Sequence, residues 1–451
     1  MDASQLAQLV VGWQASGAGG LSQRLTLALR HVLATGVLAD GQRLPTERAL
    51  AVALDVSRPT VSAAIAELRS LGLVESRQGS GTIVTPRTGS SSAIDLASAA
   101  PFDASHLGSL TLDTANLLAV SPPSGVGPDG ITVGLEALRE HIARRHRRSG
   151  RPADAVNVLV TSGAHQALAM VIALRVPVGG LVLIEELTYD GLRPLVESLG
   201  VGFATVRRDH LGVDPSHLDT LINERRPDLV VLLGGVHSPT GVVSPAERVE
   251  QVAAVLDHHA MVVLVDGAGD DLAFQPPIHH LGASCEVAEV ISVGTLSKSA
   301  WSGMQLGWIV TSEASVAQLA RYRATALDHG PSIAAQLLAG QLLQRFDDLL
   351  DARRATLFDA ARQFEVWFAE ALPEWQVHTP DGGLTVWSAL PGDDASGFVA
   401  ALAAGGVSVR AGASSRPDGQ PDPHLRLCFD RPPALLDEAL DRIVEVWNAR
   451  R

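Results

Sequence analysis

The stretch VISVGTLSKSAW (290–301) joins a short apolar run to Lys298, and Lys298 is the only lysine in the chain. Of the 35 lysines and arginines, the other 34 are arginine. VISVG belongs to a series of similar runs: NVLVTSG (157–163), LVLIEE (181–186), LVVLLGG (229–235), MVVLVDG (261–267) and QLGWIV (305–310). Near-continuous Val, Leu and Ile over this length suits strands buried on both faces, as in a sheet covered by helices on either side. Helical stretches alternate with these runs from about residue 100. The expected fold class is therefore α/β, with a mostly parallel sheet in the body. Ligands of such sheets collect at the carboxyl ends of the strands, where Lys298 falls.

Outward from this body the pattern changes twice. Towards the C-terminus ATLFDAARQFEVWFAEAL reads as a long helix, followed by the β-prone GGLTVWSAL, GVSVRAG and HLRLCF, so a small α+β subdomain is expected over about 345–451. Towards the N-terminus LSQRLTLALRHVLATG (21–36) places Leu25, Leu29 and Val32/Leu33 on one helical face. Thr46 is a candidate N-cap of a second helix, and Ser57 opens a third whose Pro59 is tolerated in the first turn. LVESR and GTIVT then flank QGSG, the signature of a hairpin tip. TPRTGSSSAIDLAS (85–98), rich in Ser, Thr and Gly, reads as a linker. The expected division is a head over 1–84, a linker over 85–99 and a body over 100–451.

Composition narrows the function classes. A chain of 451 residues, 46% of them apolar, exceeds one ordinary core, yet it has no uncharged apolar run of about 18 residues that a membrane span needs. MDASQLAQLVVGW lacks the basic start of a secretory signal, so a cytoplasmic protein is expected. Cys285 and Cys428 offer neither metal spacing nor a disulfide framework, and no metal site is expected. Residues 1–87 carry eight arginines against six acids, whereas the rest carries 27 basic and 43 acidic groups. An acidic body repels phosphate, so any nucleic-acid contact belongs to the N-terminal part.

The single lysine has a chemical explanation. An aldehyde cofactor such as pyridoxal phosphate (PLP) forms its Schiff base with a primary amine; a guanidinium stays protonated and cannot serve. Supporting residues follow in order. TSGAHQAL (161–168) puts Gly163 and Ala164 between a strand and a helix start, where backbone N–H groups can hold a phosphate. Asp266 ends MVVLVDG and suits a protonated pyridinium nitrogen. Tyr189 in EELTYDG is a candidate stacking ring, Thr295 and Ser297 are candidate phosphate ligands, and Arg426 in HLRLCF is a candidate carboxylate receptor. Each alone has a bland alternative: a strand-end cap, a core ring, a surface ion pair.

LPTERALAVALDVSRPTVSAAIAELRSLGLVESRQGSGTIV (44–84) resembles the winged helix-turn-helix reading head of the GntR family. The resemblance implies that Arg48, Ser57, Arg58 and Thr60 face DNA, with Gln78 and Gly79 at the wing tip. Ser62 stands where the family often has a longer polar or basic residue. Residues 100–451 look like a fold-type I, class I aminotransferase, and the fusion resembles the MocR subfamily of regulators. That implies a PLP-responsive homodimer, double-stranded operator DNA as partner and a small-molecule effector.

The departures from the aminotransferase pattern are specific. HSPTG (237–241) puts Ser238 where an Asn or Gln normally precedes the proline and supports the cofactor phenolate. DGAGDD (266–271) has no tyrosine after the aspartate, and SGMQLG (302–307) has Gln305 where an arginine normally grips the phosphate. The tyrosine expected near 124–134 is also absent, leaving only Tyr189 and Tyr322 in the chain. At roughly 1–3 kcal/mol per lost contact, PLP affinity falls by orders of magnitude. Efficient transamination is not expected. The readings left open are a regulator sensing PLP or a PLP–amino compound adduct, a regulator whose cavity takes another small ligand or none, and an aminotransferase with a vestigial head.

Overall fold

A computed structural model describes residues 2–15, 20–34, 38, 42–70, 73–77, 81–84, 93–107, 133–392 and 394–450. The chain divides into two units, Met1–Ala93 and Ile94–Arg451.

In the first unit four helices precede a hairpin: α1 (Ala3–Leu9), α2 (Leu21–Ala34), α3 (Glu47–Ala53) and α4 (Arg58–Ser70), then the strands β1 (Val74–Arg77) and β2 (Gly81–Val84). The helix α1 was not anticipated. It is fixed by a capping box in which Asp2 and Gln5 satisfy each other's backbone N–H groups, and it buries Leu6. Thr46 caps α3, its hydroxyl accepting the Ala49 N–H at 3.2 Å. Leu25, Leu29, Val32 and Leu33 are buried as the helical spacing requires, against Leu50, Val61, Ile65 and Leu68. The strands β1 and β2 pair antiparallel, Val74 opposite Val84.

The second unit opens with β3 (Ile94–Asp95) and continues through β4 (Val158–Thr161), β5 (Leu181–Glu185), β6 (Gly202–Val206), β7 (Arg208–Asp209), β8 (Gly212–Val213) and β9 (Leu229–Leu233). β10 (Val262–Asp266), β11 (Glu289–Thr295) and β12 (Gly307–Val310) complete the main sheet, whose order is β4-β12-β11-β10-β9-β5-β6. β12 runs antiparallel to both neighbours and the rest are parallel. All six apolar runs are strands of this sheet. β6 was missed because it begins with Gly202 and lies at the edge, only Val206 being fully buried.

The small subdomain is built on the helix Phe346–Ala371 and the strands β13 (Gln376–His378), β14 (Thr385–Ala389), β15 (Val407–Ser408), β16 (Arg410–Ala411) and β17 (His424–Cys428). Its sheet has the order β13-β14-β17-β16. GVSVRAG, one strand in the sequence reading, divides: β15 pairs with β3, and β16 with β17.

That pairing corrects the linker. Residues 94–99, assigned above to a linker over 85–99, belong to the body, because Ile94 and Leu96 alternate into the small subdomain's core at 5% and 0% exposure. Residues 85–92 lie outside the described residues. Among the described residues no helix is long and apolar enough to cross a membrane.

Candidate functional site

The carboxyl ends of the parallel strands converge on one cavity of about 1000 Å³. All nine residues singled out in the body line it. Gly163 and Ala164 arrive from β4, Tyr189 from β5 and Ser238 from β9; Asp266 ends β10; Thr295, Ser297 and Lys298 follow β11; and Arg426 comes from β17.

Each position has a local cause. Gly163 adopts φ +95°, a left-handed value that favours glycine, and so turns the chain into the helix Ala164–Arg175. The first turn of that helix borders the cavity and brings the positive end of a helix dipole to it. Ser162 N–H is held by Gln166 Oε1 at 2.8 Å. The hydroxyl of Thr295 donates to Leu306 O at 2.8 Å and accepts Ser297 N–H at 3.1 Å, so it fixes the turn before Lys298 rather than pointing freely at a ligand. Gln305 faces the cavity from an exposed left-handed position, φ +46°.

Lys298 is largely buried, and burial, with Arg426 adding to it, holds its amine below the usual lysine range. Its Nζ donates to Ala99 O. Asp266 is 8% exposed. Burial pushes its carboxyl up to about 6, against the downward pull of the Ala268 N–H it accepts and of Lys298. Tyr189 is 37% exposed and stands edge-on to His165, ring centroids 6.1 Å apart. No tyrosine follows Asp266, and there is no room for one at Gly269: a Cβ there would lie 2.7 Å from Val236 O.

Beneath the cavity floor is a buried polar cluster. His237 Nε2 donates to Leu187 O at 3.0 Å and its Nδ1 accepts from Thr240 Oγ1 at 2.8 Å. This tautomer suits a neutral ring, which burial and the nearby Arg208 enforce. Glu185 lies 3.3 Å from His237 and 3.5 Å from Arg208.

Arg426 differs most from its expected role. Its Nη1 meets Asp190 at 3.3 Å and its Nη2 donates to Ala97 O at 3.1 Å, so this chain's own oxygens stand where an incoming carboxylate was expected. The segment 95–100 is a strap along the cavity wall. Arg431 holds the carbonyls of Asp95, Ser98 and Ala100, and Cys428 N–H donates to Leu96 O at 2.8 Å. Lys298 and Arg426 hold the two carbonyls between. The strap, Asp190, His165 and Arg410 were not anticipated. Asp190 adjoins Tyr189 in EELTYDG, a stretch already assigned to the cavity, whereas nothing local in GVSVRAG points Arg410 there.

In the first unit Ser57 caps α4, its Oγ accepting Thr60 N–H at 3.3 Å and lying 2.8 Å from Thr60 Oγ1. Arg58 is therefore presented, exposed, on the first turn of α4, and Arg48 is exposed on α3. Ser62 Oγ donates to Glu47 Oε2 at 2.5 Å, so it braces α4 against α3. Gln78 and Gly79 lie outside the described residues.

Residues 21–84 match the pattern of the bacterial regulatory proteins of the gntR family, and residues 130–443 that of aminotransferase class I and II. The chain is 26% identical over 452 residues to the HTH-type transcriptional regulator TauR of Rhodobacter capsulatus, covering 88% of this chain and 90% of that one. It is 25% identical to the HTH-type transcriptional regulator YisV of Bacillus subtilis, over 81% of this chain and 83% of that one. Its fold is that of LysN, an alpha-aminoadipate aminotransferase of Thermus thermophilus solved with N-(5'-phosphopyridoxyl)-L-leucine. The two superpose with a TM-score of 0.68 at 21% identity, over 79% of this chain and 92% of that one.

Proposed function

Because this chain belongs to the aminotransferase class I and II family and joins that domain to a GntR reading head, as MocR regulators do, we propose that it is a PLP-responsive transcription factor. It binds operator DNA as a homodimer and senses PLP or a PLP–amino compound adduct without efficient transamination. The observation that carries this is the double duty of Lys298 and Arg426. The amine that would take the PLP aldehyde and the guanidinium that would take an amino acid's carboxylate are the two groups that hold Ala99 O and Ala97 O of the strap. The strap, residues 95–100, follows directly on Ile94, the first residue after the head's unit. Cations drawn into the cavity release the strap, which carries occupancy to the chain segment leading to the head.

The residues present fit the cofactor. PLP, when bound, supplies an aldehyde for an amine and a ring that withdraws electrons. Burial keeps the Lys298 amine below its usual range and so favours the uncharged, nucleophilic form. Asp266, at the buried end of β10, is positioned to hold a pyridinium proton. The N-terminal turn at Gly163 and Ala164, with Ser297, would hold the phosphate, and Tyr189, on the cavity wall, would stack on the ring. Ser238 stands on the phenolate side. Gln305 contributes no charge to the cradle, which supports weak, reversible binding suited to sensing rather than turnover.

Visible absorption of the purified protein with added PLP tests the cofactor half. A band that Lys298→Ala removes is expected; no band, or the same band in the variant, overturns it. For the DNA half, Arg58→Ala at fixed salt is expected to cost about 1–3 kcal/mol of specific operator binding. Unchanged affinity removes α4 from the role of recognition helix. Stoichiometric conversion of an amino donor and a keto acid would favour the enzyme reading instead.

A further inference from the structure

We propose that Arg410 is a second anion-binding side chain of the cavity, and that Arg410 and Arg426 together receive the single carboxylate of a compact amino compound. This deepens the effector-sensing reading and rests on it for the amine end of the ligand.

The backbone forces the two arginines together. β16 and β17 run antiparallel with Arg410 directly opposite Arg426, and residues so paired share one face of the sheet with Cβ atoms about 5 Å apart. Like charges in that relation repel, and both side chains line the cavity. Asp190 is the acid between them: its Oδ1 lies 3.3 Å from Arg426 Nη1 and its Oδ2 3.6 Å from Arg410 Nε. Ser415 Oγ donates to Asp190 Oδ1 at 2.8 Å and fixes that carboxylate.

Two cations share one anion, so this wall of the cavity carries one positive charge in excess. Arg426 is 7% exposed, and its Nε is buried without a hydrogen-bond partner. Arg410 has half its side chain exposed, and among the described residues its ion pair is the long contact to Asp190. An oxyanion opposite Asp190 completes an alternating ring of arginine, aspartate, arginine and ligand. It balances the excess charge of the pair. Charge balance also limits the ligand. A second carboxylate beside Asp190 outnumbers the arginines, and an amine with no acid gives them nothing to hold. The class selected is an amino compound with one acidic group.

The test is run without added PLP, so no amine–aldehyde chemistry enters it. Full-length protein without added PLP is titrated calorimetrically with butanoate, succinate and butylammonium. Butanoate is expected to bind, succinate more weakly and butylammonium not at all. Arg410→Gln is expected to weaken butanoate about tenfold, the loss of one charge-assisted contact, and Arg410→Lys to recover part of it. Asp190→Asn removes the competing anion and is expected to admit succinate. Wild-type butanoate affinity in Arg410→Gln, equal affinity for butanoate and succinate, or no butanoate binding overturns the proposal. Absence of a PLP band alongside these expected results refutes the cofactor reading alone and leaves the arginine pair standing.

Discussion

The head and the cavity handle charge in opposite ways. Arg48 and Arg58 stand exposed on short helices, aimed outward by the caps at Thr46 and Ser57. In the cavity Lys298 and Arg426, both largely withdrawn from water, are held by this chain's own oxygens: Lys298 by Ala99 O, and Arg426 by Asp190 and Ala97 O. The difference follows from the medium. An exposed guanidinium is hydrated at no cost and meets a polyanion from solution, whereas a cation removed from water needs partners until a ligand replaces them. On the function proposed above, the head's arginines meet DNA as they stand, while a ligand entering the cavity must replace internal bonds with its own.

The largest expected effect separates the two units. Ile65, 1% exposed in the head's core, changed to Ala should destabilise that unit by about 2–5 kcal/mol. Operator binding is expected to fall with the head's denaturant midpoint, while PLP absorption persists. Loss of both together breaks the division.

Next comes Asp266→Asn. Its carboxyl is raised to about 6 from an unfolded value of 3.8, so the native state binds more protons than the unfolded one between those values. Stability contributed by this group is full below 3.8 and lost as pH rises through about 6. The asparagine variant is expected to be more stable than wild type by on the order of 2 kcal/mol at pH 7, and level with it near pH 4, in paired denaturant titrations. Its PLP affinity should also lose the decline below pH 6 that protonation of the aspartate imposes on the wild type.

Gln305→Arg is expected to tighten PLP about tenfold by restoring one charge-assisted phosphate contact, read from the absorption titration. A null result indicates that the exposed left-handed position of residue 305 directs the side chain away from the phosphate. The smallest effect belongs to the head: Thr46→Ala, losing the cap of α3, should cost about 1 kcal/mol and leave the PLP titration unchanged.

Much of this was legible in the sequence because it is local. Val/Leu/Ile runs mark strands buried on both faces, Thr46 and Ser57 precede helices they cap, and the lone lysine after a strand lies in the cavity. Eight of the nine cavity residues came from short motifs following or ending strands of the main sheet, where topology gathers side chains by rule; Arg426 came from the middle of β17. Tertiary structure alone decided the rest. The strap's Ala97 meets Arg426, Asp190 stands between Arg410 and Arg426, and GVSVRAG is shared between two sheets. These contacts join residues hundreds of positions apart along the chain or depend on strand register. No periodicity or spacing encodes them; they exist only once burial has fixed which strands lie side by side.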